Sequence, residues 1–130
     1  DGFGAFANYT YADSEVDTGL PEFANTTLPL FNQVEHTVNL GLFYNKHDLR
    51  VRTAVIYRSE SLLDIQTDQL SGDYDPNLSR YLADSLTLDL TASYRFAKNW
   101  TVFAEFQNLL NEPGQAYNGN ESLRLDYSEY

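Results

Sequence analysis

Asp89 and Glu105 are the strongest candidates for chemistry in this sequence of 130 residues. Both lie in segments with the alternation typical of β-strands, and two carboxylates that face each other across neighbouring strands can serve as general acid and base, as in glycosidases. Such chemistry also requires an enclosing pocket around the pair. Acidic side chains on the polar face of an open sheet lack that enclosure. We therefore predict that they are structural and that the protein is not an enzyme.

A second candidate for chemistry is the segment 73–77 (DYDPN), which has the D-x-D-x-N opening of a calcium-binding loop. The glycine and the downstream glutamate of such loops are missing at the required positions, so a turn is the better interpretation. His36 and His47 lie at opposite ends of one predicted strand and are too far apart to share a metal ion, and the chain has no cysteine. We predict neither a metal site nor a cofactor.

Tyrosines in the long segments outside the predicted strands are the residues best suited to ligand binding. An exposed tyrosine offers a flat stacking surface and a hydroxyl group at a low cost in side-chain entropy. We expect the ligand-binding candidates to be these tyrosines and their acidic neighbours, namely Tyr74, Tyr81, Tyr117, Asp73 and Asp75.

Apolar and polar residues alternate in five segments, which indicates β-strands with one apolar and one polar face. From Leu86 to Phe96, every second residue is Leu, Ala, Tyr or Phe, and the residues between them are Ser, Thr, Asp or Arg. No segment of comparable length has the spacing of an amphipathic helix. The pattern predicts strands at about 2–12, 36–45, 48–59, 84–97 and 99–110.

The connections between these strands alternate between very short and very long. The short ones, at 45–48 and 97–99, suit tight hairpins, whereas segments 13–35, 60–83 and 111–130 are long and are predicted as loops. This arrangement predicts an all-β fold, an antiparallel up-and-down meander.

The charge of the chain restricts its partners. The net charge is −11, and most of the acidic residues lie in the three long segments. Because nucleic-acid affinity comes chiefly from cations that neutralise phosphates, we expect no nucleic-acid partner. The end of the sheet that carries the long segments should be strongly negative.

The apolar face of the sheet can pack in two ways. In a soluble β-sandwich it would be sealed by a second layer of the same chain, and the acidic loops would form a binding module. In a transmembrane barrel it would face lipid, with aromatic girdles at both ends of the strands. Tyr44, Tyr94, Phe96 and Trp100 lie near the short turns, and Tyr9, Tyr11 and Tyr57 near the long loops. These two groups favour lipid, and we expect Leu88, Leu90, Val102 and Phe106 to remain uncovered.

Charged residues occupy the other face of the predicted strands. In a barrel they would line a wet lumen or contact a plug inside it. The candidates for these contacts are Arg50, Arg52, Asp89, Arg95 and Glu105. Five strands cannot close a barrel, and open sheet edges are costly in lipid, so we expect the chain to be part of a larger barrel, which is incomplete here.

Five short motifs, in order along the chain, resemble the C-terminal barrel region of TonB-dependent outer-membrane receptors. The sharpest is NLLNEP at 108–113, which is similar to the element that ends the strand before the last in that family. The others are ANYTYAD at 7–13, FNQVEHTVNLGL at 31–42, YRSE at 57–60 and LDLTASY at 88–94. The resemblance spans nearly the whole chain.

The resemblance implies that residues 1–130 are a C-terminal fragment of a receptor barrel in the bacterial outer membrane, with the short turns facing the periplasm and the long loops facing outside. It also implies a barrel of 22 strands, a plug domain and an N-terminal segment that engages TonB, with the plug, that segment and the final strand outside this sequence. The family imports scarce nutrients such as iron-siderophore complexes, cobalamin or oligosaccharides. A passive porin-type barrel and the soluble sandwich remain as alternatives.

Overall fold

A computed structural model describes residues 2–17, 19, 27–66, 78–119 and 127–128. The described residues contain eleven β-strands and no helix, and none of them forms a helix that could cross a bilayer. The strands are β1 Phe3–Tyr11, β2 Glu15–Val16, β3 Leu28–Pro29, β4 His36–Lys46, β5 Leu49–Arg58, β6 Ser61–Asp64, β7 Arg80–Leu82, β8 Ser85–Ala97, β9 Trp100–Phe106, β10 Gln115–Asn118 and β11 Tyr127–Ser128.

The chain divides into two compact units. The first unit comprises residues 1–10, 37–58 and 85–112, and the second comprises 11–36, 59–84 and 113–130. The first unit contains the long strands with period-two patterning, and the second is built from the segments that connect or follow them.

The first unit is a five-stranded sheet in the order β1-β4-β5-β8-β9. The β4–β5 register is unbroken from Thr37 opposite Arg58 to Lys46 opposite Leu49, and the β5–β8 register is equally regular. Strand β8 pairs with β9 with one register shift, and β1 joins β4 where the Asn45 N–H donates to the Gly2 carbonyl at 2.7 Å. The predicted all-β antiparallel meander is confirmed.

Four of the five long strands begin and end within one residue of the predicted bounds, but β9 ends at Phe106 rather than at 110. The reason lies in the asparagines that follow it. Asn108 and Asn111 both adopt positive φ, at 48° and 50°, which extended strands do not allow. The Asn108 side chain accepts a hydrogen bond from the Glu112 N–H at 3.2 Å and donates one to the Glu112 carbonyl at 3.1 Å, closing a turn.

The second unit contains two small antiparallel sheets, so the prediction of the long segments as loops without strands is wrong for the described residues. Strands β2 and β3 form one sheet, and the other has the order β11-β10-β7-β6. These strands have two to four residues each, too few to show a readable period, and β7 pairs with β10 from a distant part of the chain. Among the described residues, the buried hydrophobic ones all lie in this unit, namely Leu28, Leu62, Ala83, Ala116 and Tyr117.

Candidate functional site

The two faces of the five-stranded sheet differ in chemistry throughout. Cross-strand partners share a face, and the apolar rows pair with apolar rows, as in Leu40 opposite Val55 and Val55 opposite Leu88. Val102 is 56% exposed and Phe106 49%, while Leu88 and Leu90 are partly exposed. None of these four residues is buried, although a soluble sandwich would seal them. The apolar face is therefore a surface of the first unit.

Aromatic side chains are concentrated at the end of this apolar face where the two short turns lie. The rings of Phe3 and Tyr44 are 4.6 Å apart, and those of Phe96 and Trp100 are 6.5 Å apart. Trp100 is 68% exposed. An exposed ring with an N–H or O–H at its edge suits the boundary between hydrocarbon and water, because its body is apolar and its tip is polar.

At the opposite end of the strands, tyrosines occupy the same apolar register. Tyr57 pairs with Val38 on one side and Leu86 on the other, and Tyr9 is largely exposed. Tyr11 stacks on His36 with 5.2 Å between the ring centres, within the second unit. The apolar rows thus begin and end in aromatic residues.

The predicted polar face carries all five of the charged residues proposed for it. Arg50 and Arg52 on β5 lie opposite Ser93 and Thr91 of β8, and Asp89 lies opposite Ala54. Across the β8–β9 ladder, Arg95 lies opposite Thr101, and Glu105 lies opposite Thr91. Register therefore places these five side chains on one face, which the sequence pattern predicted.

Asp89 and Glu105 share the polar face, but register does not place them directly opposite each other. Glu105 lies opposite Thr91, one step along the ladder from Asp89. The Asp89 carboxylate accepts a hydrogen bond from the Asn108 N–H at 3.0 Å, and the Glu105 carboxylate accepts one from the Gln107 side chain at 3.0 Å. Asp89 thus holds the turn that ends β9.

Arg95 is engaged in an ion pair at the short-turn end of the polar face. Its Nε and Nη2 atoms lie 2.8 and 2.7 Å from Asp48 Oδ1, and its backbone N–H donates to the Asp48 carbonyl at 3.0 Å. Both side chains are about half exposed, so the pair contributes little to stability. It fixes the β4–β5 turn against β8.

Arg50 and Arg52 border an open hollow of about 390 Å³ between β4, β5 and β8. The rest of its lining is polar at Asn45, Thr91 and Ser93 and aromatic or apolar at Phe43, Tyr44 and Val51.

Two glycine–phenylalanine pairs in this sheet were not anticipated from the sequence. A Cβ atom on Gly4 would collide with the Phe43 ring, and one on Gly41 would collide with the Phe6 ring. Each ring therefore lies over the glycine of the neighbouring strand. The signal is visible in the sequence, because both β1 and β4 contain Gly-x-Phe, and antiparallel pairing brings each Phe to the other strand's Gly.

The tyrosine candidates in the second unit are only partly described. Tyr74, Asp73 and Asp75 lie outside the described residues, as does segment 73–77. Tyr81 and Tyr117 are cross-strand partners whose rings stack at 5.6 Å. Tyr117 is only 7% exposed, and its hydroxyl donates to Glu60 Oε2 at 2.5 Å. The expectation that Tyr117 is exposed is wrong, because its ring packs inside the small sheet.

Metal-ligating side chains do not converge in the described ranges. His36 begins β4 and His47 follows its end, in the β4–β5 turn. Within 2–17, 19, 27–66, 78–119 and 127–128, no three of the His, Asp and Glu residues are placed to hold one ion. His36 instead lies 3.6 Å from the Glu35 carboxylate and stacks on Tyr11.

Comparisons with known proteins add one family. A family model described as TonB dependent receptor-like, beta-barrel, matches residues 2–109. No curated protein and no solved structure matches the chain. The matched range includes all five long strands of the first unit and ends in the turn after β9.

Proposed function

This chain belongs to the TonB-dependent receptor-like β-barrel family, and from that membership we propose that it forms part of the wall of a nutrient importer. The family consists of outer-membrane transporters rather than enzymes, whose barrels generally hold a plug and work with TonB. The sheet of the first unit is a partial β-barrel, and we assign it to the C-terminal region of a complete one.

The observation that carries this proposal is the division of the sheet into an exposed apolar face and a charged face. With no water in the bilayer core, a strand can cross it only if its backbone is paired and its outward side chains are apolar. A crossing strand needs about 9–11 residues, and β1, β4, β5 and β8, with 9–13 residues each, reach that length, whereas β9 has seven. The apolar face contacts lipid, and the edges β1 and β9 pair with the remaining strands.

The polar face is proposed to line the lumen and contact the plug. Arg50, Arg52 and Glu105 are exposed on this face and are the residues available for such contacts. Asp89 and Arg95 support the sheet through Asn108 and Asp48, and they contact the lumen only with their remaining surface.

The imported solute is proposed to be a scarce, bulky nutrient such as an iron-siderophore complex, cobalamin or an oligosaccharide. Tyr81 and the residues near it, with Tyr74, Asp73 and Asp75, are the proposed contacts for it. The stacked Tyr81–Tyr117 pair and the Tyr117–Glu60 hydrogen bond support this assignment by making the small sheet a fixed platform for neighbouring side chains.

Uptake by cells that express the full-length gene product tests this function. Labelled ferric siderophores, cobalamin and oligosaccharides are supplied in turn, with and without a functional TonB and with a proton uncoupler. We expect uptake of one class, and we expect it to be abolished when either TonB or the proton gradient is removed. Uptake that continues without both would identify a passive pore and contradict the proposal.

A further inference from the structure

The three arginines near the short-turn end of the polar face differ in their partners. Arg95 has a carboxylate of its own, since Asp48 lies 2.7 Å away. Arg50 and Arg52 have none within ion-pair distance among the residues that the structure describes. Alternate residues of one strand are about 7 Å apart, so the two guanidinium groups are close enough to repel each other.

The surroundings of the two arginines suit an anion. Arg50 lies between Asn45 on β4 and Ser93 on β8, and Arg52 has Thr91 on the same side as Ser93. These amide and hydroxyl groups can donate hydrogen bonds to an oxygen atom held by a guanidinium group. The hollow between them is open, about 390 Å³ in volume, and large enough for one or two carboxylate groups.

Phe43 also borders this hollow, and the glycine opposite it sets the position of its ring. Phe43 is the cross-strand partner of Arg52 on β4, where a large ring would otherwise lie across the guanidinium group. The ring instead lies over Gly4 of β1, since a Cβ on Gly4 would meet it. Phe43 thus forms an aromatic border of the hollow on its β4 side, and Thr91 and Ser93 border it with hydroxyl groups on the β8 side.

We propose that Arg50 and Arg52 form a carboxylate-binding site on the polar face of the sheet. A guanidinium fork matches the two oxygens of a carboxylate, and the anion replaces the repulsion between the two cations with attraction. The site deepens the proposed function and rests on it for placing this face inside the barrel. Inside, the carboxylates belong either to a segment of the protein packed in the lumen or to a soluble acid that enters it.

Arginine modification in the full-length gene product, held in outer-membrane vesicles, tests the site. Phenylglyoxal is added with and without citrate, a soluble tricarboxylate, and modification of each arginine is followed by peptide mass spectrometry. Arg58 is the internal control, because it lies on the same strand and face but between Thr37 and Ser85, away from the hollow. We expect Arg50 and Arg52 to react about tenfold more slowly than Arg58, the factor that one charge-assisted hydrogen bond supports.

The two arms distinguish the source of the carboxylate. Protection without citrate assigns it to the protein, and protection that appears only with citrate assigns it to a soluble acid. Sodium chloride at about 1 M shortens the Debye length to about 3 Å and should accelerate modification of both arginines. Equal rates for Arg50, Arg52 and Arg58 in both arms would overturn the proposal, and so would protection that high salt leaves unchanged, since it would indicate steric shielding. Failure of the proposed function is a separate result, because it appears as uptake that persists without TonB.

Discussion

The two units contain the same kind of secondary structure but are stabilised in different ways. In the first unit, strands of 7–13 residues form long ladders, yet its apolar residues remain at the surface. In the second unit, strands of two to four residues surround Leu28, Leu62 and Tyr117, which are almost fully buried. The long, regular ladders therefore lie in one unit, and the buried apolar side chains lie in the other.

The separation agrees with the proposed place of the first unit in a barrel wall. In water, burial of apolar surface is the main favourable term in folding, and the second unit follows that rule. In the first unit, the inner strands β4, β5 and β8 pair on both sides while the apolar side chains stay uncovered, which suits the proposed contact with hydrocarbon. We therefore expect the second unit to be sensitive to truncation of buried apolar side chains and the first unit to be sensitive to charges placed on its apolar face.

The largest expected effect is that of Leu62→Ala in the second unit. Leu62 is 3% exposed, and its truncation leaves a cavity, at an expected cost of about 2–5 kcal/mol to this unit. Hydrogen exchange of the β6, β7 and β10 amides should accelerate, whereas that of β5 and β8 should not change. Leu82→Ala, in the same sheet at a residue 39% exposed, is the control. Equal acceleration by both variants would show that the unit has no buried centre of its own.

Thr53→Arg and Ala54→Arg test the first unit with neighbouring residues on opposite faces. Thr53 lies on the apolar face opposite Leu42 and Leu90, and Ala54 lies on the polar face opposite Asp89. An arginine at a lipid-facing position in the middle of the membrane costs about 2–4 kcal/mol. We therefore expect Thr53→Arg to make folding into bilayers less favourable by that amount. Ala54→Arg gains an acidic neighbour and should fold normally. Heat-modifiable gel migration of the full-length protein measures the folded fraction. A lower folded fraction for Ala54→Arg than for Thr53→Arg would show that the face that carries Ala54, and not the one that carries Thr53, contacts lipid.

Gly4→Ala tests the packing of one aromatic ring within the same sheet. The added Cβ would collide with the Phe43 ring, so the ring must move, at an expected cost of about 1–3 kcal/mol. Gly114→Ala is the matched control, because no atom lies within 4 Å of the Cβ position there. Denaturant titration of the full-length protein compares the two, and truncation of the ring in Gly4→Ala/Phe43→Leu should restore stability. A Gly4→Ala protein as stable as Gly114→Ala would contradict the predicted role of the glycine.

The smallest expected effect concerns the edge of the sheet beyond the end of β9. The Leu86 N–H donates to Glu112 Oε2 at 2.6 Å, so a side chain replaces the strand that β8 lacks there. Glu112→Gln removes the charge from this acceptor, and we expect a loss of about 1 kcal/mol. Exchange of the Leu86 amide is the measurement. Glu105→Gln is the control, and an unchanged Leu86 exchange rate in Glu112→Gln would show that the carboxylate charge is not needed.

The long strands were predictable from the sequence because the type of each residue, apolar or polar, indicates the face of the strand on which it lies. Leu88, Leu90 and Ala92 alternate with Asp89 and Thr91, so no knowledge of the partner strands was needed. The end of β9 was not predictable in this way, since it depends on the backbone that Asn108 adopts once Asp89 accepts its N–H.

The second unit could not be predicted from the same pattern. Its strands are short and pair with distant segments, so the burial of Tyr117 follows from the approach of β7 and β10 and not from its local sequence. The missed Gly-x-Phe pairs are an intermediate case. The motif is visible in β1 and β4, but its meaning requires the register that places Gly4 opposite Phe43.

The sequence by itself determined the two-faced strands and the resemblance of its motifs to TonB-dependent receptors, because strand alternation and short motifs are local properties of the chain. Only the tertiary structure decided that the Asp89 carboxylate accepts a hydrogen bond from the Asn108 N–H, that Tyr117 is buried, and that Arg50 and Arg52 border one hollow. Each of these depends on which strands are neighbours and in which register, and register is a relation between distant residues that no local pattern specifies.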